Sequence, residues 1–248
     1  RAFFSDLVRR ICQKVLKKRE YYGIISCVDQ GRAGRDAALM EEWTAKQIFR
    51  CPPTVETDRL LFRAMNRKDA ADMFEYASDT RTTEFLLWSP HPDFEYTTRY
   101  LTYIEGQYRA GNFFDWAVIL KETGKMIGTG GFTTVDEKNR SGEIGYVLNP
   151  SFWHRGYGTE IAKELLSFGF SVLGMERIQA RYILGNRASL HVMEKCGMRF
   201  EGVFRHLLYV KGAFRDIGVC SILREEFFSA NKKRVYRLAL PHWYDRFH

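Results

Sequence analysis

Apolar and polar positions along the chain divide it into helical and extended stretches. Near the N-terminus, Phe4, Leu7, Val8, Ile11 and Val15 recur at helical spacing. Arg9, Arg10, Lys14, Lys17 and Lys18 fill the other face, which predicts a basic amphipathic helix over Arg1–Arg19. A second helix is predicted over Asp36–Phe49. Cys51-Pro52-Pro53-Thr54 then breaks the pattern, because proline lacks a backbone donor and restricts the residue before it. Downstream, Thr57–Arg63 reads as a strand, and Asp69–Ala77 and Glu95–Ala110 read as helices. In the second of these, Tyr96, Tyr100, Ile104 and Tyr108 form a stripe every four residues, read as packing. The aromatic stretch Leu86–Pro92 between them is irregular. Three strands follow, over Phe113–Leu120, Met126–Val135 and Gly142–Leu148. A helix over Gly156–Leu173 presents Ile161, Leu165, Phe168 and Val172 on one face. Then come a strand over Arg177–Leu184, a short helix over Asn186–Cys196 stopped by Gly197, and a hairpin of Val203–Val210 and Phe214–Leu223. This order predicts an α/β (α+β) fold, a mixed sheet with helices on both faces. The expected parts are a basic helical N-terminal extension (1–53), a main domain (54–228) and a basic C-terminal tail (229–248).

Composition narrows the classes. With 248 residues, 45% apolar and 27% charged, the chain can build a substantial core and is not globally disordered. No apolar run approaches the roughly 18 residues of a membrane-crossing helix. The net charge of +8 is uneven. Residues 1–20 hold seven Lys/Arg against two acids, and residues 229–248 hold five against one, which leaves the middle near neutral. A nucleic-acid enzyme carries its basic footprint on the folded domain, so direct nucleic-acid binding is not expected. The five cysteines, Cys12, Cys27, Cys51, Cys196 and Cys220, form no CxxC pair, and the histidines lack ligand spacing. No metal site or disulfide framework is expected, and a reducing cytoplasm fits. Cys196, just before a glycine that ends a helix, reads as a core residue.

The informative stretch runs from Glu143 to Glu160. A strand ends at Pro150, passes through a short loop, and opens a long helix through Arg155-Gly156-Tyr157-Gly158-Thr159. The first turn of a helix has unpaired N–H groups and the positive end of the macrodipole, so this is a cradle for an anion such as a pyrophosphate. Two glycines would let that anion approach the backbone, while Arg155 adds charge and Thr159 a hydroxyl. The third glycine of a dinucleotide fingerprint and the Gly-Lys-Ser/Thr of a P-loop are both missing.

Over residues 57–225 the sequence resembles the GCN5-related N-acetyltransferases (GNAT), in the branch that acetylates ribosomal-protein N-termini. Several separated pieces carry the resemblance: Thr57-Asp58-Arg59-Leu60, Trp88-Ser89-Pro90, Gly142-Glu143-Ile144-Gly145-Tyr146, Arg155–Glu160, Asn186-Arg187-Ala188-Ser189, Lys195-Cys196-Gly197-Met198 and Gly212-Ala213-Phe214-Arg215-Asp216. It implies a mostly antiparallel GNAT-type sheet and direct attack of an amine on acetyl-CoA, with no metal. Arg155, Gly156, Tyr157, Gly158 and Thr159 would hold the pyrophosphate and Asn186 the CoA arm. Tyr146, Val147 and Leu148 would supply backbone N–H groups to the thioester carbonyl. Glu143 is the first choice as base, ahead of Asp216 and Glu201. The tyrosine acid of many relatives is replaced by Met193, so Ser189 is the candidate acid. The glutamate base proposed in some N-terminal acetyltransferases maps onto Leu208. Trp88 and Asp216 are candidates for the acceptor side.

The resemblance implies an amine acceptor, and α-amines, which titrate near 8 rather than near lysine's ~10.4, need only a modest base. A protein N-terminus is therefore the expected acceptor. A small-amine acetyltransferase is the second reading, and there Asp93, Glu95 and Glu105 would supply the acidic pocket a polycation needs. A non-catalytic acyl-CoA-binding module is the third. A homodimer is compatible with the resemblance.

Overall fold

The computed structural model describes residues 44–231. The predicted helix over Arg1–Arg19, most of the one over Asp36–Phe49 and nearly all of the basic tail lie outside the described residues. The described chain enters on a short helix, α1 (Ala45–Arg50), closed by reciprocal hydrogen bonds between Thr44 and Gln47. The prolines that follow turn the chain without ending the core. Phe49 is fully buried and packs its ring on Phe114, Trp116, Phe132 and Phe168. The Trp116 indole N–H donates to Pro53 O at 2.8 Å.

The expected strand over Thr57–Arg63 is two: β1 (Val55–Glu56) and β2 (Leu60–Arg63). Thr57 divides them, because its N–H donates to Leu60 O and its hydroxyl accepts from Leu60 N, forming a tight turn. Helix α2 (Ala70–Ala77) and a single turn, α3 (Thr80–Thr83), lead into the aromatic loop. Helix α4 (Phe94–Ala110) starts where the Asp93 carboxylate accepts from Tyr96 N. Strands β3 (Asp115–Leu120), β4 (Met126–Asp136) and β5 (Ser141–Leu148) form a meander. Helix α5 (Tyr157–Ser171) crosses to β6 (Arg177–Ile183), and α6 (Arg187–Lys195) leads to the hairpin β7 (Arg199–Val210) and β8 (Ala213–Leu223). Strand β7 starts four residues before its expected limit, because a bulge next to Phe200–Gly202 absorbs the irregular sequence there. A last helix, α7 (Arg224–Ala230), was not foreseen.

All eight strands join one sheet in the order β1-β2-β3-β4-β5-β6-β8-β7. Every pairing is antiparallel except β5–β6, which the α5 crossover makes parallel. The fold is mixed α/β with a mostly antiparallel sheet, as expected. On one face, Trp116, Phe132, Ile161, Phe168 and Ile178 form a core under α1 and α5. On the other, Met73, Tyr76, Leu101, Ile104 and Tyr108 pack α2 and α4 onto Ala117 and Ile119. Truncating one of the large buried side chains in either layer would cost about 3–5 kcal/mol. Among the described residues no helix is long and apolar enough to cross a membrane.

One feature of the sheet creates a site. Strands β5 and β6 pair only between Ser141–Glu143 and Arg177–Gln179 and then part. Gly145, Tyr146 and Val147, beyond the last pair, are partly exposed and have no partner on that side.

Candidate active site

The gap between β5 and β6 opens beside the first turn of α5. Gly156 caps that helix with φ +81°, a left-handed conformation that costs an L side chain about 1–2 kcal/mol. His154, two residues earlier, is also left-handed at φ +60°. No side chain caps the helix, and the first helical bond is Glu160 N to Gly156 O. The N–H groups of Tyr157, Gly158 and Thr159 therefore have no partner in the helix. The two glycines differ in role. Gly156 supplies backbone conformation. A side chain on Gly158 would meet the Tyr146 ring at 3.3 Å, so this glycine lets α5 settle on β5. The Tyr157 side chain is buried beside Phe152, which leaves its backbone for the cradle. The Arg155 guanidinium sits 5.6 Å from the Phe152 ring centre.

The loop is held from the turn between β1 and β2. Arg59 lies 2.6 Å from Glu160, donates from Nη1 to Arg155 O at 3.0 Å, and stacks 4.3 Å over the Tyr157 ring. The Thr57 hydroxyl donates to Glu160 Oε1 at 2.6 Å. Burial alone would raise the Glu160 carboxyl, but these hydrogen bonds from Thr57 and Arg59 outweigh it and hold the pKa below the ordinary value. From Gly156 a groove of about 610 Å³ continues along the Thr159–Lys163–Ser167 side of α5, walled by Lys195 and Phe227.

Across the gap, burial raises the Tyr146 phenol to about 12, with the Ser189 side chain on α6 pulling the other way. Asn186 accepts from Ser189 N at 3.1 Å and so caps α6 through its own oxygen. Met193 is buried and faces the core. Cys196 is buried too, and desolvation lifts its thiol to about 12, which suits a core residue and not a nucleophile.

Glu143 sits at the last β5–β6 pair, at the root of the gap. It is 6% exposed and fully engaged. Thr133, at a bulge in β4, donates to Oε1 at 2.9 Å, Gln179 donates to Oε2 at 2.9 Å, and Arg181 lies 2.6 Å away. Both carboxylate oxygens are thus occupied by donors from β4 and β6. Asp216 is also committed, accepting from His206 N at 2.7 Å to hold a left-handed bulge in β7. Glu201 pairs with Arg177 at 2.6 Å. Leu208 lies in β7, paired with Arg215.

Trp88, Tyr100, Phe113 and Val147 are partly buried and each packs against the α2–α4 core, on the side of the sheet opposite α5. His91 meets the Trp88 ring at a tilt and the Tyr96 ring edge-on, and bonds Thr97 Oγ1 at 2.8 Å. Asp115, which no sequence motif marks out, opens β3 on this same side of the sheet. Its carboxyl is raised to about 7 by desolvation.

A mostly antiparallel sheet that splays beside an uncapped, glycine-led helix is matched by a known family. The profile described as Acetyltransferase (GNAT) domain covers residues 59–199, more than half of the chain. The chain belongs to the GNAT acetyltransferases. The uncharacterised N-acetyltransferase YoaA of Bacillus subtilis is 32% identical over 172 residues, covering 69% of this chain and 97% of YoaA. YdaF of the same organism, named as a candidate ribosomal N-acetyltransferase, is 26% identical over 172 residues, 68% of this chain and 94% of YdaF. The spermidine N(1)-acetyltransferase of Escherichia coli is 22% identical over 118 residues, 48% of this chain and 63% of its own length. Among solved structures, a GNAT acetyltransferase from Bacillus anthracis superposes with a TM-score of 0.63 at 29% identity, covering 69% of this chain and 99% of that one. This GNAT protein is thus an acetyltransferase enzyme.

Proposed function

We propose that this GNAT enzyme transfers an acetyl group from acetyl-CoA to the α-amine of a protein N-terminus, a ribosomal protein being the first candidate. The observation that carries the choice of acceptor is the state of the three acidic side chains a polycation would need. Asp93 caps α4, Glu95 pairs with Arg99 at 2.8 Å, and Glu105 pairs with Arg67 at 3.5 Å. The rim is instead aromatic and apolar, through Trp88, Tyr100, Phe113 and Val147, which suits the first residues of a peptide. The likeness to YdaF points the same way.

The cradle fits the donor. The free N–H groups at Tyr157, Gly158 and Thr159 suit a pyrophosphate, and the groove beside Lys163 and Lys195 suits the remaining phosphate of CoA. The backbone of Tyr146–Leu148, at the open end of β5, would polarise the thioester carbonyl, and Ser189, the candidate acid, would return a proton to the departing sulfur. The chain would work in the cytoplasm. In a homodimer a second copy would cover edge strand β7, which exposes Phe200, Phe204 and Tyr209.

The test is acetyl-CoA-dependent release of free thiol, run with three pools: peptides with free N-termini, polyamines, and aminoglycosides or amino sugars. Turnover in the peptide pool alone is expected. Turnover in a small-amine pool alone would replace this reading.

A further inference from the structure

Asp115 is the first residue of β3, and by strand alternation it faces the same side as Ala117 and Ile119, the α2–α4 side. Its cross-strand neighbour on β4 is Gly131, and the neighbour of Gly131 on β5 is Gly145. Asp115, Gly131 and Gly145 therefore form one row across three strands. A side chain on Gly131 would lie 2.2 Å from Asp115 Oδ1. The carboxylate leans over the bare backbone of β4, and the row ends at Gly145, on the part of β5 that β6 has abandoned. Strands lie about 4.8 Å apart, so the carboxylate reaches roughly one strand spacing from the open stretch of β5.

No hydrogen-bond donor or cation among the described residues engages this carboxylate. The contrast with Glu143, on the same face, is complete, since that residue has three donors. The ionisable groups facing Asp115 are tyrosines: Tyr100 and Tyr108 from α4 and Tyr76 from α2. Tyr108 spends its hydroxyl on Asp115 O at 2.6 Å, and the buried Tyr76 hydroxyl has no partner among the described residues. A carboxylate left open in an apolar, tyrosine-lined site contributes nothing to the fold there, and burial penalises its charge.

We infer that Asp115 is the general base of this enzyme, taking a proton from the acceptor amine at the open stretch of β5. The inference rests on the acetyl-transfer reading above. The acceptor ammonium gives one N–H proton to Asp115 and becomes a neutral amine. Its lone pair attacks the thioester carbonyl carbon, the C–N bond forms, and the C–S bond breaks with its electron pair leaving on sulfur. The second N–H proton ends on that sulfur, and Asp115 releases its own proton to solvent, so the reaction yields amide, CoA thiol and one proton.

The experiment is steady-state kinetics of wild type and D115N between pH 6 and 9, with acetyl-CoA and a pool of short peptides with free N-termini. About a tenth of an α-amine is already neutral at pH 7, and most of it at pH 9. We expect D115N to lose at least tenfold in kcat/KM at pH 7. That deficit should shrink to within about threefold by pH 9, where the amine supplies its own neutral form, with acetyl-CoA affinity unchanged. A deficit constant with pH, or none, overturns the assignment. If D115N is poorly folded by circular dichroism, D115S takes its place, and rescue of its pH 7 rate by added acetate or formate is expected, while a failure of rescue overturns the assignment. Wild type inactive on peptides but active on polyamines would overturn the acceptor reading alone; with spermidine, whose amines stay mostly protonated to pH 9, D115N should then keep its deficit of at least tenfold from pH 7 to 9, and no deficit would overturn the assignment.

Discussion

Arg59 and Glu160 lie 101 residues apart in the chain and meet at 2.6 Å. The turn that opens the family's resemblance is thereby tied to the helix that opens the cradle. The pair is partly exposed, so its Coulomb energy is small. Arg59 also bonds Arg155 O and stacks on Tyr157, so R59A removes three restraints at once. We expect a loss of about 1 kcal/mol in urea unfolding and a several-fold higher KM for acetyl-CoA, with kcat at saturation little changed.

Gly156 and Gly158 respond differently to alanine. G156A forces a side chain into φ +81° and should cost about 1–2 kcal/mol, with acetyl-CoA binding weakened about tenfold or more. G158A meets only the Tyr146 ring at 3.3 Å, so a smaller loss in both is expected. Isothermal titration with acetyl-CoA and urea unfolding of both variants check the order.

Glu143 and Arg181 hold each other beside Gln179 at the root of the splay. E143Q leaves the guanidinium without its counter-charge and should destabilise by roughly 1–3 kcal/mol. The double variant E143Q/R181Q should recover at least half of that loss. Turnover per folded molecule should fall less than fivefold in E143Q. A fall of a hundredfold with stability intact would return Glu143 to the role of base.

Asp115 sets a pH dependence whose sign is definite. Its folded pKa, about 7, lies above the ~3.9 of an unfolded aspartate, so the fold binds its proton more tightly. This contribution is complete below about pH 4 and is lost as pH rises to about 7. The loss cannot exceed about 4 kcal/mol, and the partial solvent exposure of the carboxyl makes it smaller. D115N should remove this slope and raise the thermal midpoint at pH 8 above that of wild type. Thermal melts at pH 5 and pH 8 measure both.

Local patterning alone determined the succession of elements. Extended runs bounded by turn residues marked β3 to β6, apolar stripes at helical spacing marked α4 and α5, and Gly-x-Gly before an apolar stripe marked the cradle. These signals come from backbone geometry and from which face meets the core, and both are written in neighbouring residues. The short pieces, β1, α3 and α7, escaped because a few residues carry no period. The α1 core contact escaped because Phe49 finds Trp116 and Phe168 only through tertiary folding. Site chemistry divides the same way. Motif position alone marked out Glu143, Asn186, Ser189 and Asp216, but not what engages them. Only the folded sheet decided that Arg181, Gln179 and Thr133 occupy Glu143, and that two glycines on other strands leave Asp115 open. A carboxylate's reactivity depends on which donors reach it, and here every one of those donors, and their absence at Asp115, is set by strand register across the sheet.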